Sequence, residues 1–277
     1  MAESGRPVRA ALAAAADALR FTTPTPRLDA ELLMAHALGM PRNHMLLGGL
    51  DRPEPPGFAA LLDRRLRHEP VAHLTGLRGF WAIDLEVGPG AFIPRADTET
   101  LMAAAVAHFA GRSPATVLDL GTGPGTLLLA ALDQWPGAHG IGVERSAAAR
   151  GYARRNAARL GLADRARIIG GDWASAVDGC FDLVFSNPPY VAAAELLPPE
   201  VVEYDPAEAL FGGADGLDAY RAIIPDLPRL VAPGGVAVLE IGWRQAEAVL
   251  ALAHAAGMEG AVRRDLGDRP RAIILRG

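Results

Sequence analysis

The chain has 277 residues, of which 50% are hydrophobic, 21% are charged and 6% are aromatic. This is the composition of a globular protein, so disordered, collagen-like and coiled-coil classes are excluded, and the length allows one large domain with a smaller one. The formal net charge is −5, and all 27 basic residues are arginines. An acidic balance disfavours a protein that wraps naked nucleic acid but leaves room for a small basic patch.

Cysteine content and hydropathy indicate the compartment. Cys180 is the single cysteine, so an internal disulfide and a cysteine-rich zinc site are excluded, as is typical of a reducing cytosol. No apolar run reaches the roughly 18–20 residues that span a bilayer. The arginine-flanked amphipathic start of the chain is interpreted as part of the fold, with an organelle-type presequence as the alternative. We therefore expect a cytoplasmic protein without a membrane segment.

Residues 1–75 predict a small helical domain. Apolar residues recur at helical spacing in three segments that prolines separate. They are Val8, Leu12, Ala15, Ala16 and Leu19; then Leu28, Leu32, Ala35 and Leu38; then Phe58, Leu61, Leu62 and Leu66. Arg64, Arg65 and Arg67 accompany the third segment. We interpret these arginines as a solvated helix face, and contact with a phosphate-bearing partner is the alternative.

Residues 76–95 predict a β-hairpin that links two domains. Residues 79–87 alternate between apolar and polar positions toward their end, and the turn residues Gly88-Pro89-Gly90 then lead into an apolar stretch at 91–93. Residues 96–277 predict an α/β domain with a doubly wound parallel sheet, because apolar strands alternate with helices. The predicted strands are 116–120, 140–143, 167–169, 181–185, 236–241 and 272–275.

A glycine-rich turn follows the first of these strands. It reads Gly121-Thr122-Gly123-Pro124-Gly125. Glycines there let the backbone approach a ligand at the carboxyl end of a strand, where α/β folds bind ligands. A dinucleotide site would have Gly or Ala at the position of Thr126, and Asp119 suits a ligand with an ammonium group better than a pyrophosphate. The alternative is a turn that only closes the corner between the strand and a helix over 127–132.

Acidic residues follow the next two predicted strands. Glu144 follows the strand at 140–143, and a carboxylate there can accept hydrogen bonds from both ribose hydroxyls of an adenosine-bearing cofactor. Asp172 and Trp173 follow the strand at 167–169, where the carboxylate can accept from an adenine amine while the indole packs on the ring. The alternatives are a solvated Glu144 and a Trp173 that belongs to the core.

The most specific motif follows the strand at 181–185. It reads Asn187-Pro188-Pro189-Tyr190. Two prolines stiffen the loop and remove two amide donors, so carbonyl oxygens can face a ligand without a competing neighbour. A planar amide or amine can donate its two N–H bonds to the Asn187 side-chain oxygen and the Pro188 carbonyl, with Tyr190 stacked on the planar group. This arrangement favours methyl transfer from a sulfonium to a weak nitrogen nucleophile; a structural proline-rich turn is the alternative.

Taken together, these motifs resemble the S-adenosylmethionine-dependent methyltransferases that act on planar nitrogen. That class includes N6-adenine DNA, guanine-N2 RNA and glutamine-N5 protein methylases. Further stretches resemble the release factor glutamine methyltransferases, the PrmC/HemK family, and the resemblance covers nearly the whole chain. They are Phe80-Trp81 with its hairpin, the Ile-Pro-Arg-x-Asp-Thr-Glu run at 93–99, and residues 212–221 and 233–242.

The resemblance implies a Rossmann-like class I methyltransferase sheet and a set of site residues. S-adenosylmethionine, whose product is S-adenosylhomocysteine, would contact the glycine turn, Glu144, Trp173 and Asn187, with Asp119 and Asp172 beside them. Residues 187–190 would hold the substrate amide as the catalytic group, and Phe92 would form a wall. The sequence departs from the family pattern at four positions, which are Gly79, Ala96, Pro124 and Glu144.

The resemblance also implies the reaction, which is methylation of N5 of the glutamine in the Gly-Gly-Gln motif of peptide chain release factors, a step of translation termination. The N-terminal helical domain would recognise the release factor, and we expect a monomer with no nucleic-acid substrate. The alternatives are glutamine methylation of a ribosomal protein, N6-adenine or N2-guanine methylation of nucleic acid, and a non-catalytic binding module. The chain has no lysine, and the motifs contain no histidine or cysteine, so we predict direct in-line displacement by positioning, without a metal.

Overall fold

The computed structural model describes residues 6–277, which form two compact units. The first unit comprises the described residues up to Gly76 together with Pro198–Tyr204, and the second comprises Leu77–Leu197 and Asp205–Gly277. The helices, numbered along the chain, are α1 (Val8–Ala18), α2 (Pro26–Ala37), α3 (Arg42–Gly48), α4 (Phe58–Leu66), α5 (Val71–Thr75), α6 (Glu99–His108), α7 (Thr126–Gln134), α8 (Ala147–Arg159), α9 (Pro199–Tyr204), α10 (Ala207–Leu210), α11 (Asp218–Ile223), α12 (Leu227–Leu230) and α13 (Ala246–Ala255). Within residues 6–277, no helix combines the length and apolar character needed to cross a membrane.

The strands form a hairpin and a large sheet, both in the second unit. They are β1 (Leu77–Phe80), β2 (Ile83–Glu86), β3 (Thr116–Leu120), β4 (His139–Glu144), β5 (Ala166–Gly170), β6 (Phe181–Ser186), β7 (Val231–Glu240), β8 (Glu259–Arg264) and β9 (Pro270–Arg276). Short 3-10 turns lie at Leu19–Phe21, Ala96–Thr98, Trp173–Ala176 and Ile224–Asp226.

The first unit buries one side of each of its longer helices in a common core. In α1 the predicted face is confirmed, since Val8, Leu12 and Ala15 are fully buried. In α2 the predicted face is confirmed in part: Ala35 is buried and Leu38 packs against the core, whereas Leu28 is exposed. Ala30, Leu33 and Met34, which the prediction did not include, are buried in the same core. The buried side of this helix, which contacts α1, is therefore broader than the predicted stripe.

The interpretation of the arginine cluster as a solvated face is confirmed for Arg64 and Arg67, which are exposed, and is wrong for Arg65. Its side chain is 4% exposed and its guanidinium lies 2.8 Å from Asp29 and 3.0 Å from Glu200. Arg64 is half-exposed and donates to Glu69 at 2.7 Å. A buried guanidinium requires carboxylate partners because an unpaired buried charge is strongly destabilising. Both partners are distant in sequence, so the pattern of α4 alone could not reveal this burial.

The hairpin at the start of the second unit reverses at Trp81. The predicted turn at Gly88-Pro89-Gly90 is confirmed, since the Ala91 amide donates to the Gly88 carbonyl at 3.2 Å, but it lies after the hairpin. Strands β1 and β2 are antiparallel with Phe80 opposite Ile83, which leaves a two-residue loop. Trp81 adopts φ +54°, and its amide and indole donate to Glu99 and Gln134, each at 2.9 Å. Two tertiary hydrogen bonds therefore hold a non-glycine residue in the left-handed region. Residues 91–93 form no strand.

The large sheet has the strand order β5-β4-β3-β6-β7-β9-β8. The pairs from β5 to β7 are parallel, whereas β9 is antiparallel to both of its neighbours. The α/β class is confirmed, and so are all six predicted strands. The sheet is mixed, however, and β8 was missed because its residues are nearly all exposed and carry no apolar signal.

The sheet is covered on both faces and reverses its strand order beside β3. Successive strand residues point to opposite faces, and consecutive residues are buried in β3, β6 and β7. The chain proceeds from β3 to β4 on one side, and β6 then pairs on the other side of β3. A ligand crevice is expected outside the carboxyl ends of strands at such a switch point.

Candidate active site

A cavity open to solvent lies at this switch point, within the second unit, and its empty space, including the solvent at its mouth, is about 1140 Å³. It is bordered by the residues that follow β3, β4, β5 and β6. The predicted site residues that line it are Phe92, Asp119, Gly121, Thr122, Gly123, Pro124, Glu144, Asp172, Trp173, Asn187, Pro188, Pro189 and Tyr190. Gly125 does not line the cavity. The structure therefore brings together residues that are up to about a hundred positions apart in the chain.

The three glycines of the turn have left-handed backbones for different reasons. Gly121, Gly123 and Gly125 adopt φ of +76°, +58° and +93°. A Cβ on Gly125 would lie 2.7 Å from the Leu129 Cδ1 atom, so this glycine permits packing against α7. A Cβ on Gly121 would lie 3.2 Å from the Trp173 ring. At Gly123 no described atom lies within 4 Å of the Cβ position, so only the cavity faces it.

Gly123→Val should therefore block ligand entry. The β-branched side chain would project into the cavity and would also strain a left-handed backbone. We expect calorimetry to show S-adenosylmethionine affinity reduced by at least about tenfold. Gly257→Val is the matched control, since Gly257 has φ +78°, open space at its Cβ position and a place outside the cavity. Unchanged affinity in folded Gly123→Val would contradict the assignment of this turn.

Asp119 places a buried carboxylate at the floor of the cavity. It is 1% exposed, and its Oδ2 atom accepts from the Thr122 hydroxyl at 2.6 Å and the Leu128 amide at 3.1 Å. Its Oδ1 atom has no hydrogen-bond partner within residues 6–277. Burial, with a smaller contribution from the Glu144 charge, raises the pKa of Asp119 from 3.8 to about 7. A buried carboxylate with one oxygen unpaired is suited to a cationic ligand group.

Glu144 is held at the edge of the cavity by backbone donors. Its Oε2 atom accepts from the Gly123 amide at 3.0 Å, and its Oε1 atom accepts from the Ser146 amide at 2.7 Å. Each oxygen keeps a further lone pair. The carboxylate is thus oriented by the glycine turn and by the start of α8, and it can still accept two hydroxyl donors.

Trp173 and Asp172 form another wall of the cavity. Trp173 adopts φ +46°, its ring lies against Gly121, and it also packs on the hydrophobic core. Asp172 is exposed. The proposed contacts with a nucleobase and the core interpretation of Trp173 are compatible, because the same indole reaches both the core and the cavity.

The Asn-Pro-Pro-Tyr loop is fixed from behind by side chains of other elements. The Asn187 Nδ2 atom donates to the Thr98 hydroxyl at 3.3 Å, and the Tyr190 hydroxyl donates to Glu240 Oε1 at 3.2 Å. Gln245 donates to the Tyr190 carbonyl at 2.9 Å and to the Gly216 carbonyl at 3.2 Å. Burial raises the pKa of Tyr190 well above its usual range, and the Glu240 charge raises it further, so its hydroxyl stays protonated.

Asn156 was missed by sequence reasoning and supports the glycine turn. It is fully buried in α8, donates to the Pro124 carbonyl at 2.9 Å and the Glu86 carbonyl at 3.0 Å, and accepts from the Glu86 amide at 2.7 Å. The available signal was an asparagine within a helix otherwise rich in alanine and arginine. Such a residue in a helix interior is often explained by its hydrogen bonds.

Asp205 was also missed, and it anchors the segment that carries Phe92. It is buried, accepts from the Ile93 amide at 3.2 Å and pairs with Arg95. The Arg95 guanidinium lies 5.3 Å from the centre of the Phe92 ring. Sequence reasoning identified the arginine-containing run but had no means of finding its partner about 110 residues away. Among residues 6–277, no group of three or more His, Cys, Asp or Glu is placed to hold a metal ion.

Solved structures share the fold at low sequence identity. A ribosomal protein L11 methylase from Lactobacillus delbrueckii subsp. bulgaricus matches with a TM-score of 0.51 and 20% identity, covering 69% of this chain and 83% of that one. A methyltransferase from Pyrococcus furiosus matches with a TM-score of 0.55 and 18% identity, covering 78% and 98%. These likenesses show a methyltransferase fold.

Sequence relatives identify the family. Residues 10–76 match the model of the PrmC N-terminal domain, and residues 112–257 match that of a methyltransferase domain. The chain is 45% identical over 258 residues to a release factor glutamine methyltransferase of Rhodospirillum rubrum, covering 91% of this chain and 79% of the relative. It is 42% identical over 279 residues to one of Cereibacter sphaeroides, covering 95% and 98%. The chain therefore belongs to the family of release factor glutamine methyltransferases.

Proposed function

We propose that this protein transfers a methyl group from S-adenosylmethionine to N5 of the glutamine in the Gly-Gly-Gln motif of a peptide chain release factor. The observation that carries the proposal is the Asn187–Tyr190 loop, which lines the cavity. Its asparagine donates an N–H to the Thr98 hydroxyl, so its oxygen would be left to accept from a substrate. An amide N–H requires such an acceptor. A side-chain amide offers a primary, planar and weakly nucleophilic nitrogen, and the family of the relatives favours glutamine over asparagine.

The residues of the cavity fit S-adenosylmethionine. The unpaired Oδ1 atom of Asp119 would accept from the ammonium group of the methionine part, and Glu144 would accept from the ribose hydroxyls. Trp173 would pack on the adenine, and Asp172 would accept from its exocyclic amine. The glycine turn would allow close approach of the backbone. When bound, this cofactor supplies an electrophilic methyl group on a sulfonium.

The protein would act chiefly by holding the amide. The Asn187 oxygen and the Pro188 carbonyl would each accept one N–H, and the Tyr190 ring would stack on one face of the amide, leaving the other face to the methyl group, with Phe92 as a wall of the cavity. The nitrogen lone pair would then point at the methyl carbon. Such orientation can supply up to about 7–11 kcal/mol of the barrier.

The chain's own groups need not remove a proton before methyl transfer. In the described chain, no histidine, lysine or cysteine lines the cavity. As the nitrogen gains positive charge, both N–H groups become stronger donors, so the oxygens of Asn187 and Pro188 hold the transition state more tightly than the ground state. The cationic amide is a strong acid, and it would lose its proton to solvent after transfer.

The release factor itself would be bound outside the cavity. We assign this role to the first unit, which carries no chemical motif of its own and matches the PrmC N-terminal domain. The protein would act as a monomer in the cytoplasm, with the release factor as its macromolecular partner.

One labelling experiment tests the proposal. The protein is incubated with methyl-labelled S-adenosylmethionine and, in separate reactions, a purified release factor, ribosomal proteins, and nucleic acid. We expect label on the release factor alone, and mass spectrometry should place one methyl group on the Gly-Gly-Gln glutamine. A release factor with that glutamine replaced by alanine is the control and should stay unlabelled. Label on a ribosomal protein or a nucleobase, with none on the release factor, would refute the proposal.

A further inference from the structure

A buried carboxylate lies behind the Asn187 loop and has no part in the reaction as described so far. Glu240 ends β7, and the register that places Ser186 beside Leu239 brings it next to Asn187. It is 2% exposed and does not line the cavity. Its Oε2 atom finds no hydrogen-bond partner in the described part of the chain. A buried, half-satisfied carboxylate destabilises a fold, so its presence calls for another explanation.

The contacts of Glu240 lead to two residues of the cavity wall. On one side, its Oε1 atom accepts from the Tyr190 hydroxyl at 3.2 Å. On the other side, the Thr98 side chain lies close enough to the carboxylate to lower its pKa. The Thr98 hydroxyl in turn accepts from Asn187 Nδ2 at 3.3 Å. Glu240 is thus linked to both ends of the loop that would hold the substrate amide.

The polarity of this chain of hydrogen bonds determines which end of the Asn187 amide faces the cavity. An ionised carboxylate can only accept, so the neighbouring Thr98 hydroxyl would direct its single proton to the unpaired Oε2 atom of Glu240. The Thr98 oxygen can then only accept from Asn187, which turns the Asn187 nitrogen toward Thr98 and its oxygen away. The two ends of a side-chain amide have nearly the same shape. Hydrogen-bond polarity, rather than packing, therefore selects the orientation.

We propose that Glu240 is a positioning residue for methyl transfer: through the Thr98 hydroxyl it keeps the Asn187 oxygen turned to the substrate amide, and through the Tyr190 hydroxyl it holds the tyrosine ring. This role rests on the proposed function of the cavity. It requires the ionised form of Glu240, because a protonated carboxyl group has a donor of its own and no longer dictates the direction of the Thr98 proton.

The groups around Glu240 determine when it is ionised. Arg271 faces it from β9, with Asp97 and Asp265 at 3.0 and 3.1 Å from the guanidinium. The Tyr190 hydroxyl donates to its carboxylate, Thr98 lies beside the carboxylate, and the Tyr220 hydroxyl donates to its backbone carbonyl at 2.7 Å. Burial outweighs Arg271 and raises the pKa of Glu240 from 4.5 to about 7, with Asp97 adding to the rise. Turnover should therefore increase as pH rises through about 7.

Glu240→Gln tests the role with a side chain of nearly the same shape. Its amide N–H can donate to Thr98, whose proton can then point to the Asn187 oxygen and draw it away from the substrate. We expect kcat on the release factor to fall by about 10- to 100-fold, with S-adenosylmethionine affinity nearly unchanged. The rise in kcat through about pH 7 should disappear.

Thr98 supplies the second arm of the test. Thr98→Val removes the hydroxyl at constant shape and should lower kcat as much as Glu240→Gln, whereas Thr98→Ser keeps the hydroxyl and should restore most of it. The double variant should be no slower than either single variant, because both break the same chain of bonds. Additive losses would show that the two residues act separately and would overturn the proposal.

Nuclear magnetic resonance reports the coupling without any substrate. The sequence has three asparagines and two glutamines, so few side-chain amide signals occur, and the Asn187 pair is identified by its loss in Asn187→Asp. In the wild type these signals should shift with a midpoint near pH 7, and in Glu240→Gln or Thr98→Val they should not.

Because a raised carboxyl pKa means that the ionised form costs stability, Glu240→Gln should melt no lower than the wild type at about pH 8.

The outcomes separate this proposal from the proposed function. The positioning role would be overturned by near-normal kcat in Glu240→Gln and Thr98→Val. It would also be overturned if the chemical shifts of the Asn187 amide did not change as Glu240 titrates. If the wild type methylates no release factor, the proposed function fails, and the resonance titration still decides whether Glu240 orients Asn187.

Discussion

Asn187→Ala is expected to slow methyl transfer by about 10²–10³-fold, the loss that follows removal of one oriented hydrogen-bond partner in comparable sites. The substitution removes the oxygen that would accept one amide proton, and it leaves that N–H unpaired while positive charge develops on the nitrogen. Single-turnover methylation of a Gly-Gly-Gln protein at saturating S-adenosylmethionine measures this loss directly, because it separates chemistry from product release.

Two companion variants sharpen the test of Asn187. Asn187→Asp keeps an oxygen but adds a charge near the sulfonium, which would stabilise the ground state and should also impair turnover. Tyr190→Phe should be milder, because the ring can still stack on the amide although its bond to Glu240 is lost. The expected order of rates is wild type, then Tyr190→Phe, then Asn187→Ala far below. Near-normal turnover by folded Asn187→Ala would refute the proposed mechanism.

The parts of the site that sequence reasoning could locate are those built from contiguous residues. The glycine turn, Glu144 and the Asn187–Tyr190 loop each follow a strand directly, and parallel strands bring their carboxyl ends to one edge of the sheet. Their convergence on one cavity therefore depends only on the strands being in the right order. Their roles in binding and catalysis stay predictions, since no bound ligand tests them.

The parts that could not be located are those whose partners come from distant elements. Thr98 and Glu240 both lie in stretches that resemble the family, but nothing in either stretch indicates that they meet behind Asn187. Arg65 was interpreted as solvated because its two carboxylate partners lie 36 and 135 positions away. Local periodicity reports which side of a helix is apolar, and it does not report which polar groups find partners inside.

The turns of the second unit show the same limit, because hydrogen bonds to distant residues help to decide where the chain reverses. Gly88-Pro89-Gly90 has the residue types of a turn, yet the hairpin reverses at Trp81, whose left-handed backbone is held by Glu99 and Gln134. Turn residues correctly located the turn after the hairpin, where the Ala91 amide donates to the Gly88 carbonyl, but they could not reveal a second turn that tertiary hydrogen bonds hold. The residue type alone would place a tryptophan in the strand.

Asp119→Asn is expected to weaken S-adenosylmethionine binding by about 10- to 100-fold, the loss of a hydrogen bond to a charged group worth about 1.5–3 kcal/mol. Asparagine keeps an oxygen for the Thr122 hydroxyl and the Leu128 amide. Its nitrogen then replaces the unpaired Oδ1 atom and presents N–H groups to the ligand ammonium. Titration calorimetry measures the change, and Asp133→Asn, an exposed position on α7, is the control.

The pH dependence of binding separates Asp119 from a merely structural residue. Burial raises the pKa of Asp119 from 3.8 to about 7, so the free protein is most stable with this carboxyl protonated and loses that stability as pH rises from about 4 to 7. The ligand ammonium needs the ionised form, so wild-type affinity should increase as pH rises toward 7, by up to about tenfold per unit.

Asp119→Asn should remove both the pH dependence of S-adenosylmethionine affinity and the loss of stability between about pH 4 and 7. Its affinity should be flat between about pH 5.5 and 7.5, and its melting temperature at neutral pH should equal or exceed that of the wild type, because no buried charge remains. If the variant is less stable than the wild type but binds S-adenosylmethionine as tightly, then Asp119 serves the stability of the fold and not cofactor binding. If Asp119 binds the cofactor, the Asp119→Asn variant should bind S-adenosylmethionine more weakly than the wild type and be at least as stable. A residue retained only for the stability of the fold would not lower that stability when it is ionised.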